Sequence, residues 1–269
     1  MSRVPRFPLG LDRVQGKGGV KPAAADLQRP QRPLHQAAQD QEQQHRPQGL
    51  GLDSAAVRRR MVDRLQAQGL RSEPVLRALL AVERHRFVDT ALANQAYEDT
   101  SLPIGWSQTI SKPSVVGHML AILFEGHAAR QSGHLGRMLE IGTGCGYQAA
   151  LLLQLGRGLV SIERVLGLHD KARLNLASTR LSDLQLVFGD GRLGHSPRAP
   201  YQSIVAAAGG EHLPGAWLDQ LAVGGRLVAP IQGGSASTQR LVVVDRTAEG
   251  LVTHEQDAVH FVPLKSGTE

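Results

Sequence analysis

Three acidic residues stand at the ends of short apolar runs, and their spacing suits contacts with one small ligand. Glu140 follows Met138-Leu139, Glu163 closes the run 158–162, and Asp190 follows the run 184–189. A carboxylate offers two acceptor oxygens and no donor, so Glu163 could accept both hydroxyls of a ribose and Asp190 the amino group of an adenine. One such acid is more often a solvated strand end or a helix cap. Three at successive strand ends favour a nucleoside-binding site.

A glycine-rich turn follows the first of these acids. Gly142, Gly144 and Gly146 alternate with small residues. Glycine leaves room for a ligand against the backbone and reaches the positive φ values of tight turns. The dinucleotide fingerprint would need its third glycine at position 147, which is Tyr147, and the turn lacks the Gly-Lys-Ser/Thr ending of a P-loop. The pattern therefore favours S-adenosylmethionine over a pyrophosphate-containing cofactor.

The same turn contains the only cysteine, Cys145. Its position in the turn could indicate a nucleophile. The favoured interpretation is that Cys145 is simply a small residue, at a position that serine would fill equally well. One cysteine excludes an internal disulfide and suits a reducing compartment, which predicts a cytoplasmic location. No His/Cys cluster has metal-ligand spacing, so no metal is predicted.

A long polar segment before the glycine turn is the second candidate for chemistry. Residues 96–113 are dense in polar and turn-forming residues. Apolar and aromatic side chains within it would anchor it to the domain, namely Tyr97, Leu102, Ile104, Trp106 and Ile110. A long anchored loop beside a ligand site is typical of a lid or substrate-binding element. Ser111 also fits the N-cap of a helix beginning at Lys112, and that role is compatible with a functional one.

The elements that carry these residues alternate between strand and helix. Strands are predicted at 137–141, 158–163, 184–188, 202–207, 225–231, 239–245 and 258–263. Helices are predicted at 146–155, 166–179 and 214–222, and three earlier ones begin at Asp53-Ser54, Ser72-Glu73-Pro74 and Lys112-Pro113. This order predicts an α/β fold with a doubly wound, Rossmann-like parallel sheet. No helix is predicted between the strands after residue 225, so an antiparallel hairpin should close the sheet.

Composition divides the chain into a tail and one domain. Residues 1–52 contain nine Gln and six Pro without hydrophobic periodicity, so we expect them to be disordered. The alternative that this tail results from a misplaced start codon stays open. Residues 53–269 are predicted to form the functional domain, with a helical and loop cap at 53–135 and an α/β core at 136–264.

The net charge of +6 belongs mostly to the tail. Residues 1–52 carry eight basic and four acidic side chains, whereas the rest of the chain carries 22 and 20. A nearly balanced domain gives little reason to expect a nucleic-acid partner. No run approaches the ~18 apolar residues of a membrane span, and the N-terminus lacks the apolar region of a secretory signal, so no membrane partner is predicted. The oligomeric state stays open.

Several sequence blocks resemble one known family, the protein-L-isoaspartate O-methyltransferases. The resemblance covers roughly residues 53–264 and excludes the tail. The shared blocks are 86–88, Ala96-Tyr97-Glu98-Asp99, Leu102-Pro103-Ile104-Gly105, Gln108-Thr109-Ile110-Ser111, 139–144, 146–148, Glu163-Arg164, Gly189-Asp190-Gly191 and Phe261-Val262-Pro263-Leu264. Many methyltransferases share the glycine turn, whereas the Tyr-Glu-Asp and Gln-Thr-Ile-Ser blocks in this order are close to diagnostic.

The resemblance implies methyl transfer from S-adenosylmethionine to the free carboxylate of L-isoaspartyl residues in damaged proteins and peptides. The methyl ester would then collapse to a succinimide without the enzyme. By the same resemblance Ser111 is the active-site residue. The predicted cofactor-binding residues are Gln108, Thr109, Ile110, Glu140, Gly142, Thr143, Gly144, Gly146, Glu163, Asp190 and Gly191.

Two positions depart from the family pattern. The family usually has Gly-Tyr-Gly or Gly-His-Gly before Gln-Thr, where this chain has Gly105-Trp106-Ser107. After the fourth core strand it usually has Thr-Ala-Ala-Pro, where this chain has Ala206-Ala207-Ala208-Gly209-Gly210. Both lie near the expected acceptor groove, so they bear on rate and peptide preference.

Two other functions are compatible with parts of the sequence. A methyltransferase of another acceptor is the first alternative, although the Asn/Asp-Pro-Pro-aromatic block of base amino-group methylation is absent after the fourth core strand. A cofactor-binding protein that acts through its Gln-rich tail without catalysis is the second. The presence of Glu140, Glu163, Asp190 and Ser111 argues against that loss of activity.

Overall fold

The computed structural model describes residues 55–177, 183–233 and 238–269. The predicted tail and the capping pair Asp53-Ser54 lie outside these residues. Seven α-helices are described: α1 Ala55–Ala67, α2 Glu73–Ala81, α3 Pro113–Phe124, α4 His127–Ser132, α5 Tyr147–Leu155, α6 Leu166–Asn175 and α7 Gly215–Gln220. Nine strands are described: β1 Leu102–Gly105, β2 Gln108–Ile110, β3 Met138–Ile141, β4 Leu159–Glu163, β5 Leu184–Phe188, β6 Tyr201–Ala206, β7 Leu221–Gln232, β8 Gln239–Arg246 and β9 Leu251–Val259.

Seven of these strands form one sheet in the order β5-β4-β3-β6-β7-β8-β9. The first five are parallel, while β8 and β9 add to the edge as antiparallel strands. The chain runs from the central β3 outward through β4 and β5, then returns to the other side of β3 as β6. The carboxyl ends of β3, β4 and β6 therefore flank a topological switch point, where open α/β sheets bind ligands. The predicted doubly wound fold and the antiparallel hairpin after residue 225 are confirmed.

The alternation of side chains along the strands builds one apolar core on each face of the sheet. Met138 packs into the cluster that includes the buried faces of α1, α2, α3 and α5. Leu139 and Ile141 pack into the opposite cluster, with Tyr201 and Trp217. This alternation assigns Glu140 to the same face as Met138, and that placement decides its contacts.

The predicted end of the sheet needs correction. The last strand was expected at 258–263, but β9 spans Leu251–Val259, and residues 260–263 leave the sheet toward the ligand edge. Eight of the nine β9 residues are exposed, because β9 is an edge strand that buries neither face. It therefore lacks the hydrophobic pattern by which strands are predicted.

Helix boundaries differ from the predictions in smaller ways. Helix α6 ends at Asn175 instead of 179, and residues 178–182 lie outside the described part of the chain. Residues 221–222 belong to β7 and not to the preceding helix. The short helix α4 was not predicted. Ser111 is not an N-cap: α3 begins at Pro113 with Lys112 at the cap position, and Asp99 Oδ1 accepts a hydrogen bond from Ser114 N at 2.9 Å instead.

No helix in the described ranges is both long enough and apolar enough to span a lipid bilayer. The same residues contain no group of three or more His, Cys, Asp and Glu side chains arranged to hold a metal ion.

Candidate active site

A cavity lies at the switch point, over the carboxyl ends of β3, β4 and β6. It encloses about 910 Å³ of empty space, including its open mouth. It is lined by Ile104 with 108–111, Val116, 141–145 with 147–148, 162–165 with Leu168, Gly191, Ala207 with Ala208, and 262–265. Two segments that are far apart in sequence, the glycine turn and Gln108–Ser111, therefore face one cavity.

The structure brings together most of the predicted site residues, but not all of them. The predicted residues in the wall are Gln108, Thr109, Ile110, Ser111, Gly142, Thr143, Gly144, Glu163 and Gly191. Three predicted cofactor contacts are not in the wall: Glu140, Gly146 and Asp190.

The glycine turn has the backbone shape that the sequence indicated. Gly142, Gly144 and Gly146 have φ values of 88°, 57° and 92°, in the left-handed region that side chains disfavour. A Cβ on Gly144 would lie 3.2 Å from Ile104 Cδ1, so a side chain there would crowd the opposite wall. Gly142 N and Thr143 N both donate to Ile162 O, which fixes the turn to the end of β4.

Glu163 is a buried carboxylate at the end of β4, and backbone groups hold it in place. Its Oε2 accepts from Gly144 N at 2.8 Å, and its Oε1 accepts from Arg164 N at 2.9 Å and Val165 N at 3.0 Å. These bonds use three of the roughly four acceptor positions of a carboxylate. One position on Oε2 is left for a ligand hydroxyl in this geometry. For Glu163 to accept hydrogen bonds from both ribose hydroxyls, one of its three hydrogen bonds from backbone N–H groups would have to be replaced.

Glu140 lies behind the cavity, fully buried on the Met138 face of the sheet. Its Oε2 accepts a 2.5 Å hydrogen bond from Ser161 Oγ, which is also 2.6 Å from Thr143 Oγ1. Burial raises the pKa of Glu140 to about 8, and the bond from Ser161 only partly offsets this. Glu140 thus contacts the glycine turn through Ser161 and Thr143, and not the cavity directly.

Asp190 and Gly146 have backbone tasks instead of places in the wall. Asp190 Oδ1 accepts from Arg192 N at 2.9 Å, and its Oδ2 accepts from Gly267 N at 2.7 Å. Gly146 is the N-cap residue of α5, and a Cβ there would lie 2.9 Å from Leu176 Cδ1. The carboxylate that was predicted to meet an adenine amino group therefore holds the segment 265–269 in this structure.

The segment that contains Ser111 is a small hairpin followed by a buried anchor. Strands β1 and β2 pair antiparallel, and Ser111 follows β2 directly. Arg84, which is fully buried, donates from Nη2 to Ser111 O at 2.7 Å and from Nε to Ala96 O at 2.8 Å. Its guanidinium carbon lies 4.7 Å from the centre of the Tyr147 ring, at the start of α5. Arg84 thereby fixes the backbone of Ser111 relative to the glycine-turn helix, and burial lowers its pKa.

Cys145 lines the cavity, but its thiol has the properties of a core residue. It is 3 % exposed, and burial raises the pKa of its thiol. A buried thiol with a raised pKa is a poor nucleophile, because the thiolate is the reactive form. The interpretation of Cys145 as a small packing residue is therefore the better one.

The sheet order, the left-handed glycine turn and the buried acid at the end of β4 are those of an S-adenosylmethionine-dependent methyltransferase. The sequence model of the protein-L-isoaspartate(D-aspartate) O-methyltransferase family matches residues 56–269. The chain belongs to this family. Its reaction is methyl transfer from S-adenosylmethionine to isoaspartyl residues of proteins, a repair reaction.

Individual relatives agree with this assignment. A protein-L-isoaspartate O-methyltransferase of Methylibium petroleiphilum is 59% identical over 266 residues, covering 98% of this chain and 97% of the relative. One of Leptothrix cholodnii is 54% identical over 270 residues, covering 98% and 94%. Both alignments extend into residues 1–52, so these relatives have a counterpart of most of the tail.

Solved structures support the fold. A protein-L-isoaspartate O-methyltransferase superposes with a TM-score of 0.66 at 25% identity, covering 77% of this chain and 65% of that one. A second structure, a protein from Plasmodium falciparum described as such an enzyme in complex with S-adenosyl-L-homocysteine, gives a TM-score of 0.65 at 20% identity, covering 76% and 96%.

Several wall residues were not predicted. Residues 261–264 carried part of the family resemblance without a stated role, and Val262, Pro263 and Leu264 line the cavity. Arg84 was missed because nothing in its sequence neighbourhood reveals that it is buried. The neighbouring block 86–88, which carried part of the family resemblance, was the one indication in the sequence that this part of the chain bears on function.

Proposed function

We propose that one wall of the cavity holds the methyl donor and the other presents the free α-carboxylate of an L-isoaspartyl residue, with Ser111 as the catalytic residue. The observation that carries this proposal is the shared cavity: Gln108–Ser111 face the glycine turn and Glu163 across it. Damaged proteins and peptides that contain L-isoaspartyl residues are the proposed partners.

The donor wall fits a nucleoside ligand that carries a sulfonium group. Gly142 and Gly144 have no side chains, so a ligand can approach the backbone of the turn, and a side chain at Gly144 would crowd Ile104. Glu163 retains an acceptor position for a hydroxyl, and Gly191 has no side chain in the wall. We assign Gly142, Thr143, Gly144, Glu163 and Gly191 of the donor wall to donor binding, together with Gln108, Thr109 and Ile110 of the facing segment. S-adenosylmethionine, when bound, supplies a methyl group already activated by its positive sulfur.

Three further residues support the donor wall from outside it. Glu140 acts through Ser161 and Thr143, Gly146 allows α5 to start against Leu176, and Asp190 holds Gly267. We propose indirect roles for them in cofactor binding, in place of the direct contacts that the sequence suggested.

The acceptor side needs no general base. A carboxylic acid with an ordinary pKa near ~4 is already ionised at neutral pH, so its oxygen is ready to attack. The task of the chain is to align that oxygen and to exclude water. Ser111 Oγ makes no hydrogen bond to another described residue, so its hydroxyl is available to donate to the acceptor carboxylate. Arg84 fixes the Ser111 backbone, and the released ester would then cyclise to a succinimide without help.

The test compares Ser111→Ala with Ser101→Ala, which alters an exposed serine outside the cavity. Methyl transfer from radiolabelled S-adenosylmethionine is measured on an isoaspartyl peptide and on its aspartyl isomer. We expect Ser111→Ala to bind S-adenosylhomocysteine like the wild type and to lose about tenfold or more in kcat, because only alignment of the acceptor is lost. Ser101→Ala should keep its activity. Unchanged turnover in Ser111→Ala would refute the assignment.

The same assay distinguishes the proposed enzyme from a methyltransferase of another acceptor. A methyltransferase of another acceptor would label neither peptide, whereas the proposed enzyme labels the isoaspartyl form alone. The absence of both labels would exclude the proposed acceptor.

We also propose a cytoplasmic location. Its support is the single, buried cysteine, since proteins of oxidising compartments commonly contain disulfides. Fractionation of the native cells would test it, and recovery of the chain outside the cytoplasm would contradict it.

A further inference from the structure

The turn between β1 and β2 has an unfavourable backbone for its two residues. Trp106 and Ser107 have φ values of 50° and 55°, and they are the two non-glycine residues with positive φ in the described ranges. Bulky side chains seldom adopt this conformation, because Cβ approaches the carbonyl oxygen. The hairpin therefore holds its tryptophan in a disfavoured conformation, and the contacts of the indole offer a reason.

The indole of Trp106 rests on Gly167, the second residue of α6. A methyl group on Gly167 would overlap the indole atoms Cζ2 and Cε2 and lie 2.8 Å from Nε1. The contact exists only because position 167 has no side chain. Helix α6 begins three residues after Glu163, so Trp106 joins the acceptor hairpin to the donor side of the cavity.

A second contact joins the same two elements. Lys171 Nζ, one turn further along α6, donates to Ile104 O in β1 at 3.0 Å and lies 3.2 Å from Asp89 Oδ1. The hairpin thus meets α6 at its turn through Trp106 and on its first strand through Lys171. Gln108–Ser111 form the returning strand and its end, so their place over the cavity depends on these contacts.

We propose that Trp106 is a positioning residue for the reaction: its indole, seated on Gly167, holds Gln108–Ser111 against the donor wall. The inference rests on the proposed function of that segment. Because 54 % of Trp106 is exposed, the seat can open without unfolding the core. Closing of the hairpin and binding of the donor are then coupled, since each favours the other.

Two single variants and their combination test the seat. Trp106→Asn removes the indole and keeps a residue that tolerates left-handed φ. Gly167→Ala places a methyl group beneath the indole, and alanine favours the helix more than glycine does, so α6 is not weakened. Both are compared with the wild type for S-adenosylhomocysteine affinity by calorimetry, for the KM of the isoaspartyl peptide, and for melting temperature.

We expect each single change to weaken S-adenosylhomocysteine binding about threefold to tenfold and to raise the peptide KM, with no fall in the melting temperature of Gly167→Ala. In the double variant Gly167→Ala should cause no further loss, because its effect acts through the indole. Affinities equal to the wild type in both single variants would overturn the proposal. Independent, additive losses in the double variant would also overturn it.

Fluorescence gives a readout without turnover. The chain has two tryptophans, and Trp217 is fully buried, so acrylamide quenching reports Trp106. S-adenosylhomocysteine should protect the wild type from quenching and leave Gly167→Ala unprotected. Equal quenching with and without the ligand in the wild type would contradict the seat. Quenching of Trp106 does not depend on Ser111, so it tests the contact between Trp106 and Gly167 alone. Unchanged turnover of Ser111→Ala would refute the catalytic role of Ser111 without affecting this test.

Discussion

The two walls of the cavity are held in place by different means. On the donor side, the glycine turn is bonded to the end of β4 through Ile162 O and Glu163, so its position follows from the register of the parallel sheet. On the acceptor side, β2 has three residues and pairs only with β1 among the described strands. Its position depends on side-chain contacts with other elements: Arg84 with Ser111 O, Lys171 with Ile104 O, and the hairpin's own Trp106 with Gly167 of α6.

This difference indicates how the molecule divides its work. Strand pairing in the centre of a seven-stranded sheet opens only at a high cost in free energy, whereas a two-stranded hairpin is marginally stable by itself. The donor wall therefore keeps its position, and the acceptor hairpin is the part that can change conformation when a protein substrate binds. Changes in the donor wall should act on stability or cofactor affinity and leave acceptor handling alone, whereas changes in the hairpin should affect both acceptor handling and cofactor affinity.

The largest expected effect concerns the buried acid beneath the donor wall. Burial raises the pKa of Glu140 from 4.5 to about 8, so the folded state binds a proton that the unfolded state has released. This contribution to stability is fully present below pH 4.5 and is lost as the pH rises through 8. Relative to Glu140→Gln, the wild type should lose up to about 3 kcal/mol of unfolding free energy between pH 6 and pH 8.

Chemical denaturation at several pH values measures this difference. Glu98→Gln, which changes an exposed carboxylate, is the matched control and should follow the wild type. A constant difference between the wild type and Glu140→Gln across this range would show that Glu140 titrates as an ordinary surface acid. The proposal that the donor wall rests on a carboxyl group buried away from water would then be wrong.

The next effect compares two acids at neighbouring strand ends. Glu163→Gln leaves one acceptor oxygen for the backbone but removes the charge and one acceptor group at the cavity. We expect cofactor affinity to fall about tenfold or more, since a hydrogen bond to a charged group contributes ~1.5–3 kcal/mol. Asp190→Asn should cost less, because its carboxylate bonds to Arg192 N and Gly267 N instead of facing the cavity.

Calorimetry with S-adenosylhomocysteine gives both affinities, and the peptide KM at saturating cofactor should change little in either variant. A larger loss in Asp190→Asn than in Glu163→Gln would restore the direct adenine contact that the sequence suggested. It would also require the segment 265–269 to leave Asp190 when the cofactor binds.

The sequence predicted the donor wall better than the acceptor wall, for a physical reason. Strands β3, β4 and β6 are largely buried, so their hydrophobic runs reveal them, and parallel strands bring Gly142 and Glu163 to one edge. Strand order alone does not reveal that Glu140 lies behind the cavity wall, because side-chain alternation along β3 places that carboxylate on the face of Met138. Prediction from hydrophobic runs failed at β9, an exposed edge strand without a hydrophobic pattern.

The contacts of the hairpin could not be predicted at all from spacing. Trp106 and Gly167 are 61 positions apart, and a glycine near the start of a helix gives no indication that an indole lies on it. The Gln-Thr-Ile-Ser block identified Ser111 through resemblance. Arg84 fixes the backbone of Ser111 by donating to its carbonyl oxygen. Every residue type has this oxygen, so the residue type at 111 does not reveal the contact. Interactions of this kind emerge only from the folded chain.

The smallest expected effect tests whether the acceptor hairpin is held against its own backbone preference. Ser107 has a φ of 55°, which costs a non-glycine residue about 1 kcal/mol, while glycine adopts it freely. Ser107→Gly also gives the unfolded chain more freedom, so the net gain should be about 0.5 kcal/mol, or ~1 °C in melting temperature. Ser101→Gly, at an exposed position without positive φ, should lower the melting temperature instead. If both changes lower it equally, the turn is not left-handed at Ser107, and the hairpin needs no contact with α6 to hold its shape.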